Sequence, residues 1–477
     1  MGGGQPDAEH DRVAALTTEV RRDLARIAHP RNPWLEPRIA PDGKPALDVL
    51  IVGAGQSGLA IAFALMRAQV GNVVAIDKAA YGQEGPWLTY ARMRTLRSPK
   101  DYTGPDLDVP SLTYQAWHEA RFGVASWTSL GEIPRELWAE YLLWVRQAIG
   151  IPVRNGLEAI DIAPAHGELL AVTVQGDGGS REVLHARKVV LATGQEGMGG
   201  WWMPDFVAAL PTHLRAHAAD NIDFDALRGK IVAVLGAGAS AFDNAAMALE
   251  HGAAEVHLFC RRATPQLVQP YRWLTFAGFL RHLSDLDDAW RWRFMSHILG
   301  LREGFPQDTW DRCAGHANFR LHTGTSWLGA KPKGAGVELQ TQQGPFHADY
   351  LICGTGVDMD FSLRPELTRC AANIATWGDR YRPPPEERDD RLARYPYLGG
   401  DFELTEKVAG ATPWIRDIHV FAIASTMSFG PSGSSINAVT TAVQKLSHGI
   451  TRGLFKADLE RHWQSLQSYD VQQAVLK

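Results

Sequence analysis

The sequence predicts an α/β fold with two parallel sheets, the second inserted into the unit that forms the first. Short apolar runs at 49–52 and 231–235 are each followed by a turn with closely spaced glycines and then by a helical pattern. Such runs are typical of parallel strands that are buried on both faces. At 477 residues the chain is also too long for one ordinary core, which predicts two or three domains.

The first glycine turn contains Gly53, Gly55 and Gly58, in the G-x-G-x-x-G spacing of Rossmann dinucleotide-binding folds. The first glycine suits a tight turn, the second lets a pyrophosphate approach the backbone, and the third lets the helix pack on the strand. Free N–H groups and the positive end of the helix dipole would hold that pyrophosphate. The next strand ends at Asp77, where a carboxylate can accept hydrogen bonds from a ribose.

The second turn lies in the run GAGASAFDNA, with Gly236, Gly238 and, in the third position, Ala241. Alanine is an accepted variant there because it is still small enough for the helix to pack on the strand. The following strand ends in Arg261 and Arg262 instead of an acid. Guanidinium groups at this position favour the extra phosphate of NADP over the bare ribose of NAD, although two arginines at a strand end could also be simply solvated.

The composition narrows the class of function. Lys and Arg number 48 against 53 Asp and Glu, a formal charge of −5, which predicts no nucleic-acid surface. The four cysteines form no C-x-x-C pair, so neither a zinc site nor a redox dithiol is predicted. Scattered thiols fit a reducing cytoplasm, and the chain shows neither a secretion signal nor an uninterrupted membrane-spanning stretch. We therefore predict a cytoplasmic protein without a metal site.

Between the two motifs the sequence predicts a loop, a helix and a small antiparallel sheet. Residues 79–117 are irregular, aromatic and rich in proline, as functional loops are. Helical spacing predicts a helix over 133–150, and short β-rich runs between 151 and 190 predict antiparallel strands. After the second motif, residues 264–320 are predicted to form a helical insertion, whose tryptophans by default pack in its core. The tryptophans that this prediction concerns are Trp273, Trp290 and Trp292.

The two ends of the chain are predicted to be helical. Residues 8–28 have the pattern of an amphipathic surface helix, joined to the first strand by a proline-rich tether. Near the C-terminus, DIHVFAIAS predicts a buried strand, followed by a loop that leads into a helix. A final polar helix is predicted over 455–469.

Taken in order, these motifs resemble the class B flavin-dependent monooxygenases, which include flavin-containing monooxygenases, Baeyer–Villiger monooxygenases and microbial N-hydroxylases. Gly85-Pro86-Trp87 matches the glycine–tryptophan element of their flavin loop. Their F-x-G-x-x-x-H signature is altered, because Pro211 and His213 precede His217. Stretches such as MRTLRSPKD are loosely similar to siderophore-type N-hydroxylases. The other matching motifs are GAGQSGL (53–59), LATG (191–194), GAGASAFDNA (236–245) and CGTG (353–356).

The resemblance implies that the first glycine motif binds FAD and the second binds NADPH. It implies two Rossmann-like dinucleotide-binding domains, the second inserted in the first. The implied segments are an N-terminal extension (1–45), the first part of the FAD-binding domain (46–210), an NADPH-binding domain (211–345) with a helical insertion at 264–320, and the second part of the FAD-binding domain with C-terminal helices (346–477).

The chemistry that the resemblance implies is the transfer of one oxygen atom from O2 to a small-molecule substrate. NADPH reduces FAD, and the reduced flavin forms a C4a-(hydro)peroxyflavin that carries the oxygen atom. N- or S-oxygenation is the favoured outcome, and Baeyer–Villiger oxidation of a ketone is the alternative. A flavin reductase or electron-transfer flavoprotein and a redox-sensing scaffold are alternatives of another class, and a homo-oligomer remains open.

Three residues are predicted as catalytic. Lys100 lies in a loop expected to cross the active site, although a solvated lysine paired with Asp101 is an equal alternative. His217 lies between the domains, where a structural or cofactor-contacting role is favoured over acid–base catalysis. Asn437 and Ser434, before the last long helix, are placed to contact the flavin. The predicted cofactor-binding residues are Gly53, Gly55, Gln56, Ser57, Gly58, Asp77, Trp87, Gly194, Gly236, Gly238, Ser240, Ala241, Arg261, Arg262 and Gly356.

Overall fold

The computed structural model describes residues 5–27, 32–433 and 435–475, and within these ranges two parallel sheets organise the chain. The strands are β1 (Leu47–Val52), β2 (Val73–Asp77), β3 (Val153–Asn155), β4 (Leu157–Ala165), β5 (Leu169–Gly176), β6 (Arg181–Gly194), β7 (Gly200–Trp201), β8 (Arg215–His217), β9 (Ile231–Leu235), β10 (Glu255–Cys260), β11 (Phe319–Thr323), β12 (Trp327–Lys333), β13 (Gly336–Thr341), β14 (Gly344–Ala348), β15 (Tyr350–Cys353), β16 (Val357–Asp358) and β17 (Ile418–Ala422). The helices are α1 (Gln5–Arg26), α2 (Gln56–Arg67), α3 (Tyr114–Phe122), α4 (Val124–Ser129), α5 (Arg135–Ile149), α6 (Asp205–Ala208), α7 (Ala239–Glu250), α8 (Pro270–Trp273), α9 (Ala277–His282), α10 (Asp288–Leu301), α11 (Gln307–Ala314), α12 (Trp377–Arg380), α13 (Asp390–Ala393), α14 (Thr426–Phe429), α15 (Val439–Ala457) and α16 (Leu459–Gln467).

The first sheet has the strand order β3-β2-β1-β6-β17, and these strands are parallel where they pair. β1 lies at its centre, and Val49, Leu50 and Ile51 are fully buried because helices and loops cover both faces. β6 is long enough to pair with three other strands. Its first half pairs antiparallel with β5, and its second half pairs in parallel with β1 and β17. The predicted antiparallel strands before residue 190 are thus confirmed as β4, β5 and the start of β6.

The second sheet has the order β11-β10-β9-β15-β8 and is parallel throughout. Helix α7 packs on one face, where Phe242 and Ala245 are fully buried. The antiparallel strands β12, β13 and β14 cover the other face, where Trp327 and Leu339 pack with Phe259. The predicted α/β fold with two Rossmann-type sheets is therefore confirmed, while domain boundaries at 210 and 345 stay a prediction.

The chain crosses from the first sheet to the second and back along two paired segments. β7 and β16 form a two-stranded antiparallel sheet, in which Trp201 lies opposite Val357. Gly199 comes so close to the returning segment that a Cβ atom would lie 1.8 Å from the carbonyl oxygen of Asp358. The two crossings are therefore packed backbone against backbone.

The helical insertion consists of α8 to α11, as the sequence predicts, but of the tryptophans Trp273, Trp290 and Trp292 only one packs in its core. Trp292 is buried beside Trp377 and donates a hydrogen bond from Nε1 to the carbonyl oxygen of Glu387, 2.9 Å away. Trp273 and Trp290 are 58% and 48% exposed and contact the ring of Phe294. Default core packing is therefore wrong for Trp273 and Trp290, whose indoles stay about half exposed even though Trp273 also contacts the buried ring of Phe279.

Both predicted terminal helices are present, with shifted bounds. The first, α1, ends at Arg26, and Thr17 on it accepts a hydrogen bond from Nε1 of Trp144 in α5. The last predicted helix divides at Asp458, whose buried carboxylate pairs with Arg187 at 2.9 Å and also with Arg38. Among the described residues, no helix has both the length and the apolarity that a membrane crossing requires.

We predict that Gly199→Ala lowers the free energy of unfolding by about 1–3 kcal/mol, because its methyl group must displace the returning backbone. Gly300→Ala is the control, since Gly300 lies near the end of α10 and no atom of the described residues is within 4 Å of where its Cβ would lie. That control should change stability by less than about 1 kcal/mol and in the stabilising direction. Urea titration measures both, and equal midpoints for the two variants would contradict the packing described.

Candidate functional site

The first glycine turn is shaped by two close backbone contacts. Gly53 has φ +105°, and a Cβ atom on it would lie 2.3 Å from the carbonyl oxygen of Ala192. A Cβ atom on Gly58 would lie 1.9 Å from the carbonyl oxygen of Gly53. Gly55 differs, because its backbone is extended and the nearest atom to its Cβ position is Cα of Gly85 at 3.6 Å. Only the middle glycine therefore faces open space.

Gly55 is also the N-cap of α2, which begins with Gln56 and Ser57. Among the described residues, no side chain caps the free N–H groups of this first turn. Such groups, at the positive end of the helix dipole, are a ready site for a pyrophosphate. The open space at Gly55 and these uncapped donors fit the phosphates of a dinucleotide.

Asp77 ends β2 beside this turn. Its Oδ2 accepts a hydrogen bond from the backbone N–H of Ala54, and its Oδ1 accepts one from Ala79, both at 2.8 Å. Burial raises the pKa of the carboxyl group, although the two N–H donors oppose that shift. A carboxylate oxygen accepts more than one hydrogen bond, so Asp77 retains acceptors for a ribose hydroxyl. Its ribose contact stays a prediction.

Trp87 lies in the segment between β2 and α3, which we call the flavin loop. At Trp87 this loop meets α5 and the start of α2. Its ring packs edge-on against that of Trp138 in α5, with 6.4 Å between centroids. Trp138 in turn donates from Nε1 to Oε1 of Gln56 at 3.2 Å. Nε1 of Trp87 is buried and has no hydrogen-bond partner within the described ranges. Buried donors without partners are rare, so this N–H fits an acceptor on a bound group.

The second glycine turn has the geometry of the first, except that an alanine takes the place of the third glycine. Gly236 has φ +128°, and a Cβ atom on it would lie 2.4 Å from the carbonyl oxygen of Gly354. Gly238 is extended, with no atom within 4 Å of its Cβ position, and is the uncapped N-cap of α7. Ala241 fits in the third position because Gly354 makes room for it: a Cβ atom there would lie 2.7 Å from that of Ala241. Sequence reasoning missed Gly354, although the alanine indicates that a small residue must lie opposite.

Several smaller predicted sites lie at the same edges of the two sheets. Gly194 is the last residue of β6, and Gly356 follows β15. Ser240 is exposed on the first turn of α7. We call the turn Gly53–Gly58 the first cradle and the turn Gly236–Ala241 the second cradle. Gly194 lies at the sheet edge of the first cradle, Ser240 and Gly356 lie at that of the second, and their contacts with a cofactor stay predictions.

The two arginines after β10 differ in their surroundings. Both are exposed, and Arg262 donates hydrogen bonds to the carbonyl oxygens of Gly300 and Leu301 at the end of α10. Desolvation and the nearby guanidinium groups of Arg391, Arg261 and Arg262 lower the pKa of Arg302. Positive charge is thus concentrated at the end of β10, where a phosphate would reduce the repulsion.

Lys100 is held at the end of a short helix. Its Nζ donates to the carbonyl oxygens of Trp127 and Leu130, at 2.7 Å and 2.6 Å, and lies 4.5 Å from the centre of the Trp127 indole. The carbonyl oxygen of Trp127 also accepts a hydrogen bond from the N–H of Leu130, and Leu130 is the C-cap of α4, so Lys100 adds a charged donor to the C-terminal end of this helix. These contacts hold the ammonium group in place, and its predicted action on the flavin or substrate stays a prediction.

His217 ends β8 as a buried, neutral imidazole. Its Nδ1 accepts a hydrogen bond from the N–H of Ala219 at 3.1 Å, and its ring stacks on that of Trp201. Burial lowers its pKa to about 4, although the carboxylate of Asp220 and the backbone at Gly356 oppose that shift. A neutral imidazole at pH 7 fits the structural or cofactor-contacting role that the sequence favours, and that role stays a prediction.

Asn437 connects the loop before α15 to the helical insertion. Its Nδ2 donates to Oγ1 of Thr275 at 3.3 Å, and Thr275 donates its own proton to the carbonyl oxygen of Tyr271 at 2.7 Å. Because that proton is used, the amide nitrogen must point toward Thr275. Oδ1 of Asn437 is then left buried, without a partner among the described residues. Ser434, the other residue predicted in this loop, lies outside the described residues.

Comparisons with known proteins agree with this geometry. A family described as FAD-NAD(P)-binding matches residues 50–196, which contain the first cradle. The chain is 40% identical over 469 residues to the FAD-dependent urate hydroxylase of Xanthomonas campestris pv. campestris, covering 97% of each chain. The chain belongs to this FAD-dependent hydroxylase family. It is therefore an FAD-dependent oxidoreductase, and the resemblance to flavin-dependent monooxygenases is confirmed.

Solved structures show the same fold in other flavin-dependent hydroxylases. The ornithine hydroxylase of Pseudomonas aeruginosa has a TM-score of 0.67 and 18% identity, covering 86% of this chain and 100% of that one. The ornithine N-hydroxylase of Kutzneria sp. 744, in complex with reduced FAD, NADP+ and L-ornithine, has a TM-score of 0.65 and 17% identity, covering 86% of this chain and 100% of that one. At 18% and 17% identity, these two structures show only that this chain shares their fold.

We predict that Gly55→Val abolishes the binding of FAD and that Gly238→Val abolishes only the binding of the nicotinamide cofactor. Both residues have extended backbones and open surroundings, so each variant should fold, while the added side chain fills the space for a pyrophosphate. Gly55→Val should purify without flavin absorbance. Gly238→Val should retain FAD and lose binding of nicotinamide cofactor in a titration.

Each variant is the control for the other, and circular dichroism checks that both are folded. Retention of FAD by folded Gly55→Val would contradict the first cradle. Unchanged nicotinamide binding by Gly238→Val would contradict the second.

Proposed function

We propose that this enzyme hydroxylates urate, or a purine of the same oxidised type, with NADPH as reductant and O2 as oxidant. The observation that carries the proposal is the 40% identity to an FAD-dependent urate hydroxylase over nearly all of both chains. That match includes the helical insertion and the C-terminal loop as well as the two cradles. The substrate-contacting regions are therefore within the matched length, which a match of the nucleotide-binding motifs alone would not provide.

In the proposed reaction one oxygen atom of O2 enters the purine as a hydroxyl group and the other leaves as water. NADPH supplies two electrons and is oxidised to NADP+. A flavin bound in the first cradle supplies the relay of electrons from the nicotinamide and the activation of O2. The chain itself must hold both nucleotides, orient the purine and exclude water.

The residues described support these tasks. The indoles of Trp87 and Trp138 line the junction of the flavin loop, α5 and the start of α2 with apolar surface. Asn437, held by Thr275, presents a buried amide oxygen that can accept a hydrogen bond from an imide N–H. Urate and flavin both carry such N–H groups, so this side chain suits either one.

NADPH is proposed as the reductant because of the charge after β10. Arg261 and Arg262 occupy the end of the strand, and Arg262 is held by carbonyl oxygens of α10. Arg261 is exposed and is the better placed of the two to contact the 2′-phosphate.

N- or S-oxygenation stays a prediction of the sequence and is the second candidate. The neighbours that hydroxylate amines share the fold at identities of 18% or lower, which leaves their substrates unsupported for this chain. A dithiol-dependent reduction is less favoured, because the four cysteines are all free and buried in the described structure.

We predict that the purified enzyme consumes urate, NADPH and O2 in equal amounts. Under labelled O2 the hydroxylated purine should carry one labelled oxygen atom. Mass spectrometry and NADPH absorbance measure both quantities. A panel of amines, sulfides and ketones is the control. Oxygenated product from one of these, with urate untouched, would replace the proposed substrate.

We predict that Arg261→Ala raises the KM for NADPH about tenfold or more and leaves that for NADH nearly unchanged, because only NADPH carries the 2′-phosphate. Arg228→Ala, which removes an exposed arginine elsewhere on the same unit, is the matched control. Steady-state kinetics with both nucleotides measure the effect. An equal change for NADPH and NADH would contradict a phosphate contact.

A further inference from the structure

A network of charges, buried at its centre and exposed at Arg94, joins the flavin loop to the second nucleotide cradle. Arg97, in the loop, donates from one guanidinium nitrogen to Oδ2 of Asp243 on α7, 2.6 Å away. Arg94 of the same loop pairs with Glu250 at the end of α7, at 2.9 Å. Arg312 on α11 binds both acids, with 2.8 Å to Glu250 and 3.4 Å to Asp243. We call these five residues the charge bridge.

The centre of the charge bridge is removed from water. The side chains of Asp243 and Arg312 are 3% and 6% exposed, and that of Arg97 is 29% exposed. Thr309 donates a further hydrogen bond to Asp243 at 3.1 Å. Burial raises the pKa of Asp243, against the opposing effect of Arg97 and Arg312. Loss of one partner would leave a charge poorly compensated in a dry site, which is costly.

On the flavin side, the charge bridge is attached to rigid structure. The loop segment that carries Arg94 and Arg97 is fixed to the start of α5 by backbone hydrogen bonds, Leu96 N–H to the carbonyl oxygen of Ile133 and Arg135 N–H to that of Arg94. Arg135 also donates to the carbonyl oxygen of Trp87 at 3.0 Å. Arg97 is thereby connected to the tryptophan junction at the first cradle.

On the other side, the charge bridge holds the helix that forms the second cradle. α7 begins at Ala239, directly after Gly238, and Asp243 lies on its second turn. The helix that presents N–H groups to a pyrophosphate therefore also forms ion pairs, through Asp243 and Glu250, with two arginines of the flavin loop. A displacement of Arg97 or Asp243 would move one cradle relative to the other.

We propose that Arg97 and Asp243 are positioning residues that set the distance and angle between the nicotinamide and the flavin. The inference rests on the proposed reduction of FAD by NADPH. In that step the nicotinamide gives up a hydride and becomes oxidised, and the flavin gains two electrons and a proton. Transfer of this kind needs close, aligned atoms, and a misplacement of about 1 Å can cost roughly 100-fold in rate.

The test compares Arg97→Ala, Arg97→Lys and Asp243→Asn with the wild-type holoenzyme. Arg369→Ala is the matched control, because it breaks an ion pair of similar length, 2.7 Å, with Asp161, far along the chain from the charge bridge. FAD content is measured first. Anaerobic stopped-flow mixing with saturating NADPH then gives the rate constant of flavin reduction and the charge-transfer absorbance between reduced flavin and NADP+. Hydrogen exchange of α7 amides, measured without NADPH, reports on the contact itself.

The expected result is flavin reduction that is about 10- to 100-fold slower in Arg97→Ala and Asp243→Asn, with weaker charge-transfer absorbance and faster exchange in α7. Arg97→Lys should recover part of the rate, because it keeps the charge but loses the guanidinium geometry. FAD content and reduction by dithionite should equal those of wild type and of Arg369→Ala. Wild-type reduction rates in the first two variants would overturn the proposal.

The proposal can still be tested if the Arg97→Ala variant is unstable. If that variant loses FAD, Arg97→Lys and Asp243→Asn decide the question, and normal reduction in both overturns the positioning role. Normal flavin reduction without any urate product would overturn the proposed substrate while leaving the charge bridge intact. Failure of both nicotinamides to reduce the wild-type flavin would overturn the reductant and, with it, the positioning role.

Discussion

The constraint on which the rest of this structure depends is the missing side chain at the start of each glycine turn. The first glycine of each turn lies against a carbonyl oxygen near the carboxyl end of the adjacent parallel strand. For Gly53 this is Ala192 in β6, and for Gly236 it is Gly354, directly after β15. This contact lets the backbone reverse at the carboxyl edge of the sheet and start a helix at once. The helix N-terminus then points outward over that edge, where ligands of open α/β sheets bind. Every other part of the site is placed relative to these two turns.

Around the two turns, aromatic packing, hydrogen bonds and ion pairs each have a different structural role. Aromatic packing at the first cradle comes from Trp87 and Trp138. Hydrogen bonds set the direction of single polar groups, as Thr275 does for Asn437. Charge joins the elements that lie far apart in sequence. A site that excludes water gains from each of these, because polar contacts strengthen as the surroundings become drier.

The sequence predicts the parts of the fold that depend on local pattern. Strand, glycine turn and helix follow one another within a short stretch, so the spacing of Gly53, Gly55 and Gly58 is enough to predict the first cradle. The same holds for Gly236 and Gly238. These segments are specified by neighbours a few residues away, and their chemistry is readable in order along the chain.

The remaining features depend on partners that are distant in sequence. Lys100 binds carbonyl groups at the end of α4, Arg262 binds those of α10, and Arg97 pairs with an acid on another sheet's helix. No periodicity marks such pairs, because an arginine or lysine near the surface has many acids and carbonyl groups in reach. The exposure of Trp273 is similar, since helical spacing predicts an apolar face but not whether another element covers it. Tertiary packing alone decides these cases.

The pairing of β7 with β16 has a consequence for how this architecture can be exchanged. Antiparallel partners have Cα atoms roughly 5 Å apart, so the entry and exit of the second sheet lie side by side. A module whose ends meet can be grafted into another chain without stretching either host or guest. If the second cradle holds the nicotinamide nucleotide, as proposed, exchanging the segment between β7 and β16 among relatives would transfer nucleotide preference and leave the first sheet unchanged.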